Sequence, residues 1–389
     1  MSTKTRSVMF VTGSRAEYDI LFPVIEAVSA ANELEPEIVV TGSHLARQFG
    51  LTVRDVEADG FPIVGRIDSL LASDSASARA KSAAIQLQSL VDTVAHRAPD
   101  FLAVVGDREE AITTAMTGAY LDVPVVHIAG GDTADDFNVD NSVRHAVTKL
   151  AHLHMTASAG SAERVRKLGE EDWRVHQVGA PGLDRLVSEP VLAPACLWTK
   201  MGVRPVDGPY AVMIQHPLLP EMDRAEEQVR ATLDALVASG LPAFISGPNS
   251  DPGNQGMAAL IDAYTAKHEQ LVAYKNLSRP LYVNLIRHAA VLVGNSSSGI
   301  IEAPLLKLPV VNVGSRQVGR EHGGNVQFVG YDSEAIGKAL KRAVFDEDYR
   351  AEVARADNPY GDGSAGQKIC DILVKETDRR RLLEKRNTF

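Results

Sequence analysis

Short β-branched runs that end at glycine, each followed by a stretch of helical periodicity, constrain the fold of this chain more than any other feature. Ser7–Thr12 ends at Gly13, and apolar residues at helical spacing follow over Leu21–Ala31. Leu102–Val105 ends at Gly106 and precedes another helical pattern. Repetition of strand, glycine turn and helix is typical of a parallel sheet with helical crossovers. The sequence therefore predicts an α/β fold.

The same pattern restarts after a proline-rich stretch over 189–209, so the 389-residue chain is expected to contain two domains. The second half offers four strands of its own: Tyr210–Ile214, Pro242–Ile245, Val291–Val293 and Pro309–Val313. We predict a Rossmann-like N-terminal domain over 1–186, a Rossmann-like nucleotide-binding domain over 187–366, and a helical tail over 367–389 that packs back across the junction. Two such halves indicate a ligand in the cleft between them, at the carboxyl ends of the strands.

Composition excludes several classes of function. Fifty acidic and forty basic residues give a net charge of −10 without a basic stripe, which argues against nucleic acid as a partner. The apolar runs are far shorter than the about 20 residues that span a bilayer, so no membrane partner is expected. No apolar signal region opens the sequence, so we expect a cytoplasmic protein. Two cysteines, without CxxC or HExxH spacing, provide neither a disulfide scaffold nor a metal motif, and no cofactor is expected.

Groups suited to phosphate follow several strands. Arg15 in the turn Gly13-Ser-Arg adds a guanidinium fork to exposed backbone N–H groups. Three serines, Ser296, Ser297 and Ser298, precede a predicted helix whose first turn would contain Glu302. Arg316 follows the strand over 309–313. We expect a diphosphate to contact Arg15 and Arg108 from one domain and the serines and Arg316 from the other. The alternative is that these residues only form ordinary turns and helix caps.

Acidic side chains cluster at strand ends in the first half. Asp107 follows the strand over 102–105, a position that suits acid/base work beside a charged ligand. The alternative is a local ion pair between Asp107 and Arg108. Four further acids, Asp132, Asp135, Asp136 and Asp140, lie within nine residues and precede Arg144. Carboxyl groups that face one pocket raise each other's pKa, so one can act as an acid while its neighbour acts as a base. A solvated acidic loop or a divalent-cation site is the alternative. In the second half, His216 follows the strand over 210–214, and Pro217 restricts its backbone.

Taken together, these stretches resemble the UDP-N-acetylglucosamine 2-epimerases, most closely the hydrolysing branch. The matching segments lie between Val8 and Arg320 and read GSRAEYDILFPVI, TGSHLARQFG, GDREE, HIAGGD, RHAVTKLAHLH, GNSSSGIIEAP and VNVGSRQVGR. The resemblance implies a GT-B-type fold of two Rossmann-like domains that close over a UDP-sugar, commonly as a homodimer or higher homo-oligomer. It also implies elimination of UDP to a 2-acetamidoglucal, followed by re-addition with inversion at C2.

The resemblance assigns roles to particular residues. Asp107 matches the acid/base residue of the GDR motif, Asp140 the acid before RH, and His216 the histidine near the leaving phosphate. Asp132 stands where a glutamate is common. The matches to substrate- or nucleotide-binding positions are Arg15, Arg108, Arg144, Ser296, Ser297, Ser298, Glu302 on the ribose and Arg316, with Asn249 and Ser278 as weaker matches.

One departure affects the chemistry. Ala129 stands where many relatives place a carboxylate or a histidine, so Asp132 or a water must deliver any proton that this group supplies. The motifs favour hydrolysis to N-acetylmannosamine and UDP over the UDP-retaining outcome, which would give UDP-N-acetylmannosamine. A GT-B glycosyltransferase and a UDP-sugar sensor without turnover are the remaining alternatives.

Overall fold

The computed structural model describes residues 5–71, 73, 75–133, 139–248, 254–275 and 277–389, and thirteen strands lie within them. The strands are β1 (Arg6–Thr12), β2 (Leu34–Thr41), β3 (Ile63–Ile67), β4 (Phe101–Val105), β5 (Val125–Ile128), β6 (Leu153–Thr156), β7 (Val175–Gln177), β8 (Ala211–Ile214), β9 (Ala243–Ser246), β10 (Leu271–Tyr274), β11 (Val291–Gly294), β12 (Val310–Val313) and β13 (Val326–Val329).

Helices alternate with these strands along the chain. The α-helices are α1 (Arg15–Ala30), α2 (Val53–Ala58), α3 (Ala76–Arg97), α4 (Glu109–Tyr120), α5 (Val139–Leu150), α6 (Ala159–Lys167), α7 (Asp184–Ser188), α8 (Pro194–Met201), α9 (Ala225–Ser239), α10 (Asn254–Lys267), α11 (Arg279–Arg287), α12 (Ser298–Ile301), α13 (Ser333–Phe345), α14 (Glu347–Arg355), α15 (Ala365–Lys375) and α16 (Arg379–Leu383).

Two compact units divide the chain. Unit 1 comprises Met1–Arg185 and Tyr360–Phe389, and unit 2 comprises Leu186–Pro359. Unit 1 contains a seven-stranded sheet in the order β3-β2-β1-β4-β5-β6-β7, and unit 2 a six-stranded sheet in the order β10-β9-β8-β11-β12-β13. Every strand pair in both sheets is parallel. The strand order therefore reverses between β1 and β4 in unit 1 and between β8 and β11 in unit 2, where doubly wound sheets bind their ligands.

Continuous burial along the central strands explains their composition. All five residues of β4 and all four of β8 are buried, because helices cover both faces of a parallel sheet. Val, Ile and Phe suit such strands, and their side chains form separate cores in the two units. The predicted α/β fold with two Rossmann-like parallel sheets is confirmed.

The carboxyl-terminal segment differs from the expected single helical tail over 367–389. It forms two helices, α15 and α16, which the residues Glu376–Asp378 separate. The compact unit 2 ends at Pro359 instead of 366, because the chain returns to unit 1 from Tyr360 onward. There the Ala180 N–H donates to the Tyr360 carbonyl at 2.8 Å, and α15 packs on α1. None of the helices described is both long and apolar enough to span a membrane.

Candidate active site

Asp107 and Asp132 in unit 1 are joined through one guanidinium group. Asp107 follows β4 and forms an ion pair with Arg144 of α5. The Nη1 atom of Arg144 also donates to the Asp132 carbonyl oxygen at 2.7 Å and to Asn141 Oδ1 at 3.1 Å. Because the side chains of Asp107 and Arg144 are only 19% and 12% exposed, this ion pair is screened less than one on the surface. The structure thus brings three of the sequence-predicted residues together at the ends of β4 and β5.

A second arginine, which sequence reasoning missed, holds Asp140. Arg79 of α3 donates from Nη2 to Asp140 Oδ1 at 2.9 Å and forms a further ion pair with Glu109. Asp140 lies four residues before Arg144, so the two side chains share one face of α5. Asp140 is thereby placed beside the Asp107–Arg144 pair. Asp135 and Asp136 of the predicted acidic cluster, by contrast, lie outside the described residues.

His127 fixes the backbone that precedes Asp107. Its Nε2 lies 2.8 Å from the Gly106 carbonyl oxygen, and its Nδ1 lies 3.3 Å from the Thr148 hydroxyl of α5. Burial lowers the pKa of His127 to about 3, although the hydrogen bond to Gly106 opposes the shift. The ring is therefore neutral at pH 7 and donates from Nε2, since a carbonyl oxygen only accepts. His127 thus links β5, the Asp107 loop and α5.

Two buried glutamates, which sequence reasoning also missed, lie beneath the first glycine turn. Glu17 accepts a hydrogen bond from the Gly13 N–H at 2.8 Å, and the Glu110 carboxyl packs against the Gly13 Cα, where a Cβ would collide with it. Burial raises the pKa of Glu17 to about 8, and the charge of Glu110 adds to the shift. Burial also raises the pKa of Glu110. The close approach to Gly13 explains why glycine is required there.

The two remaining basic candidates of unit 1 are exposed. Arg15 is the first residue of α1, and Arg108 immediately precedes α4. Both therefore lie at the carboxyl ends of β1 and β4, the two strands that flank the switch point of the sheet. Helix N-termini at this edge favour anions because their backbone N–H groups lack intrahelical partners.

In unit 2, a buried asparagine holds the backbone of His216. The Oδ1 atom of Asn295 accepts from the His216 N–H at 2.8 Å, and its Nδ2 donates to the His216 carbonyl at 2.8 Å. His216 follows β8 and Asn295 follows β11, so this reciprocal pair joins the two strand ends at the switch point. Gly294 adopts φ +124°, and a Cβ there would lie 2.2 Å from the Ile214 carbonyl oxygen. Sequence reasoning missed Asn295, because its partner His216 lies 79 residues away along the chain.

Arg316 and the serine loop share the same strand end. Arg316 Nη1 donates to the Asn295 carbonyl oxygen at 3.1 Å, and Gln317 Nε2 donates to the same oxygen at 2.9 Å. The Ser296 hydroxyl accepts from the Ser298 N–H at 3.2 Å. These contacts bring Arg316 and Ser296 to the end of β11, and their part in an anion site remains a prediction.

The expectation that Glu302 lies in the first turn of a helix is wrong. Helix α12 has only four residues, Ser297 precedes it without a side-chain capping bond, and Glu302 follows its last residue. Glu302 Oε2 instead accepts hydrogen bonds from the Ser298 hydroxyl and, at 3.0 Å, from the hydroxyl of half-buried Tyr282. Burial and the charge of Glu302 raise the pKa of Tyr282 well above its usual value, so Tyr282 remains a donor. Side-chain hydrogen bonds, and not a long helix dipole, therefore hold this carboxylate.

Of the two weaker candidates, Ser278 alone lies within the described residues. Ser278 is exposed and immediately precedes α11, where its side chain makes no capping hydrogen bond. Asn249 lies outside the described residues. Among the described residues, no group of three or more His, Cys, Asp or Glu side chains is arranged to hold a metal ion.

Comparison with known proteins identifies the family. The sequence profile of the UDP-N-acetylglucosamine 2-epimerases matches residues 26–374. The chain belongs to this family. It is 33% identical over 99% of its length to the whole UDP-N,N'-diacetylbacillosamine 2-epimerase (hydrolyzing) of Legionella pneumophila. It is 28% identical to the GDP/UDP-N,N'-diacetylbacillosamine 2-epimerase (hydrolyzing) of Campylobacter jejuni, with 82% of this chain and 83% of that protein covered.

A solved structure shows the same fold. The crystal structure of UDP-GlcNAc 2-epimerase from Neisseria meningitidis bound to UDP-GlcNAc matches with a TM-score of 0.76 and 17% identity, and covers 95% of this chain and 100% of that one. The resemblance seen in the motifs, the GT-B-type fold class and the enzyme class of a 2-epimerase are confirmed. The roles of individual residues remain predictions.

Proposed function

We propose that this chain is a hydrolysing 2-epimerase that converts UDP-N-acetylglucosamine into N-acetylmannosamine and UDP. The observation that carries the proposal is the Asp107–Arg144 ion pair, with Arg144 also bound to the main-chain carbonyl of Asp132 and with Asp140 on the same face of α5. Acidic residues gathered at neighbouring strand ends suit a reaction that removes a proton and returns it elsewhere. Simple glycosyl transfer has no step that needs proton exchange at C2.

The leaving group sets the main electrostatic demand of this reaction. The hydrogen at C2 is barely acidic, so departure of UDP runs ahead of proton removal and leaves positive character at C1. Stabilising the departing diphosphate is then the largest contribution. In unit 2 we assign this task to His216, Arg316 and the Ser296–Ser298 loop, which the Asn295 contacts fix at one strand end. We assign the ribose hydroxyls to Glu302.

The acids of unit 1 then exchange the proton. In this proposal Asp107 removes the C2 proton, and the adjacent Arg144 guanidinium orients the carboxylate. Asp132 or Asp140 returns a proton on the other face of the planar C2. The Ala129 side chain cannot donate a proton. Asp132 or a water must therefore deliver any proton that a carboxylate or histidine at this position would supply. Addition of water at C1 completes the hydrolysis. We choose this outcome because two similar proteins are named as hydrolysing 2-epimerases.

Incubation with UDP-N-acetylglucosamine in heavy water tests the proposal. Phosphorus NMR should show free UDP, and proton NMR should show N-acetylmannosamine with deuterium at C2. A product that keeps UDP attached would assign the chain to the UDP-retaining branch. Absence of both UDP release and deuterium uptake would refute a 2-epimerase, and transfer to an acceptor without C2 exchange would instead support a glycosyltransferase.

UDP-N,N'-diacetylbacillosamine is a second candidate substrate, because the relative with 33% identity over its whole length is named for it. The two sugars differ in the substituents at C4 and C6, away from the reacting carbons. Parallel measurement of kcat/KM for both substrates decides between them. A ratio above about tenfold, equivalent to 1.4 kcal/mol, would identify the preferred substrate.

We also propose that the enzyme is a homo-oligomer, commonly a homodimer in proteins with these motifs. Light scattering coupled to size-exclusion chromatography tests this directly. A mass of 41.8 kDa would show a monomer, and twice that value a dimer.

A further inference from the structure

The carboxyl-terminal segment is anchored to the same helix that carries Asp140 and Arg144. Lys385 Nζ donates to the carbonyl oxygens of Thr148, Lys149 and Ala151 at 3.0, 2.7 and 2.7 Å. The last carbonyl groups of an α-helix have no intrahelical partner, and lysine is a known donor to them. The Lys385 ammonium therefore caps the carboxyl end of α5.

A buried carboxylate holds the ammonium in this position. Glu170 Oε2 lies 2.7 Å from Lys385 Nζ, and the Glu170 side chain is fully buried. Burial alone would raise the pKa of Glu170, but hydrogen bonds from His154, Lys149 and Lys385 lower it to about 2. Burial lowers the pKa of Lys385 to about 8, against the opposing hydrogen bond to Glu170, so the ammonium remains charged at pH 7.

Arg174 fixes the segment that carries Lys385. Its guanidinium is completely buried and donates to the carbonyl oxygens of Leu382 at 2.8 Å, Arg381 at 3.2 Å and Glu384 at 3.1 Å. The guanidinium groups of Arg174 and Arg381 both contact the Trp173 ring, at 4.2 and 3.8 Å from its centroid. Lys385 is thus presented by an ordered segment and is not a mobile surface side chain.

Helix α5 depends on this end for its fixation. Its two fully buried residues, Val147 and Thr148, lie in its last half, whereas the proposed catalytic groups lie in its first half. Arg144 and Lys149 are five residues apart, which is about 7.5 Å along a helix axis. Thr148 also contacts His127, which in turn holds the Gly106 carbonyl before Asp107. A displacement of the carboxyl end of α5 would therefore reach both members of the Asp107–Arg144 pair.

We propose that Lys385 is a positioning residue for the proton-transfer groups, because its ammonium fixes the carboxyl end of α5 and thereby the placement of Asp140 and Arg144. The effect on turnover rests on the proposed 2-epimerase function. The effect on α5 itself does not.

The test compares Lys385→Ala and Lys385→Met with the wild type, and uses Lys375→Ala as control. Lys375 is exposed at the end of α15, so its loss removes a lysine from the same segment without touching α5. In both Lys385 variants kcat should fall by about tenfold to 100-fold, since small displacements of reacting groups have effects of this size. Affinity for UDP, which is assigned to unit 2, should change by less than about twofold.

Amide hydrogen exchange separates this inference from the proposed function. Exchange over 139–150 should accelerate in the Lys385 variants, while exchange in the sheet of unit 1 stays unchanged. Propylammonium chloride, which replaces the missing part of the side chain, should restore part of the turnover of Lys385→Ala and leave Lys375→Ala unaffected.

Unchanged kcat together with unchanged exchange over 139–150 would overturn the inference. An equal loss of turnover and UDP affinity, with faster exchange throughout unit 1, would overturn it as well, because it would show a general loss of structure. If the wild type releases no UDP, the proposed function fails, and the exchange comparison still decides whether Lys385 fixes α5.

Discussion

The candidate sites of the two units are built from different interactions. In unit 1, charged side chains hold one another: Arg144 pairs with Asp107, and Arg79 pairs with Asp140 and Glu109. In unit 2, side chains hold backbone groups: Asn295 holds His216, and Arg316 and Gln317 hold the Asn295 carbonyl. An ion pair orients a charged side chain, whereas a hydrogen-bonded loop fixes the position of its backbone. This difference agrees with the proposed roles, which are proton transfer in unit 1 and binding of the leaving group in unit 2.

Replacing Asp107 tests this comparison most severely. In Asp107→Asn, kcat should fall by about 10²–10⁴-fold, because the amide cannot accept the C2 proton. UDP affinity, measured by calorimetry, should stay near that of the wild type. Asp92→Asn, at an exposed position on α3, is the control. Equal losses of turnover and UDP binding would show that the charge pair serves only the structure.

The buried carboxyl groups of unit 1 predict a pH effect on stability. The pKa of Glu17 rises from 4.5 to about 8 on folding, so the folded chain holds a proton that the unfolded chain releases between these values. The free energy of unfolding should therefore fall as pH rises through this window, by up to about 1.4 kcal/mol per pH unit. Glu17→Gln should flatten the profile in urea unfolding, and Glu26→Gln, exposed on the same helix, should not. If Glu17→Gln leaves the dependence of the free energy of unfolding on pH unchanged, this dependence does not arise from Glu17.

In unit 2, a substitution should lower UDP affinity more than turnover, which is the opposite of the result expected for Asp107→Asn. Arg316→Ala should weaken UDP binding by about tenfold to 100-fold, the range of a lost hydrogen bond to a charged group. Turnover at saturating substrate should fall less than affinity does. Arg355→Ala, at the exposed end of α14, should bind UDP as the wild type does. If Arg316→Ala keeps its UDP affinity, the diphosphate lies elsewhere.

The smallest effect is expected from the neutral contact that holds His216. Asn295→Ala should lower stability by about 1–3 kcal/mol, because both backbone groups lose their partner, and should lower kcat by a few-fold. Asn358→Ala removes a comparable amide contact, to the Ile301 carbonyl at 2.9 Å, and should affect stability alone. Similar kcat values for the two variants would remove Asn295 from the site.

Local patterns were sufficient to predict several of the buried strands. The periodicity located β1, β4, β8, β11 and β12 within one residue, because buried parallel strands are continuous apolar runs. The same patterns placed Asp107 and Asp132 after strands, and the carboxyl ends of parallel strands meet at one edge of a sheet. These residues follow neighbouring strands of one sheet.

Contacts between distant segments could not be predicted in this way. Arg79 reaches Asp140 across 61 residues, and Tyr282 lies 20 residues before the Glu302 that it contacts. Nothing in the local sequence of either residue indicates its partner. The length of α12 was also misjudged, because the glycine and serines before it are typical of a helix start but do not determine where the helix ends.

The Arg174 contacts have a consequence for synthesis on the ribosome. Unit 2 is one continuous segment, so all of its residues can emerge and fold before translation ends. Arg174 has to await Arg381, Leu382 and Glu384, more than 200 residues later. Before then Arg174 can bind Glu171 and the His152 carbonyl, and the first unit is completed only after the second has been synthesised.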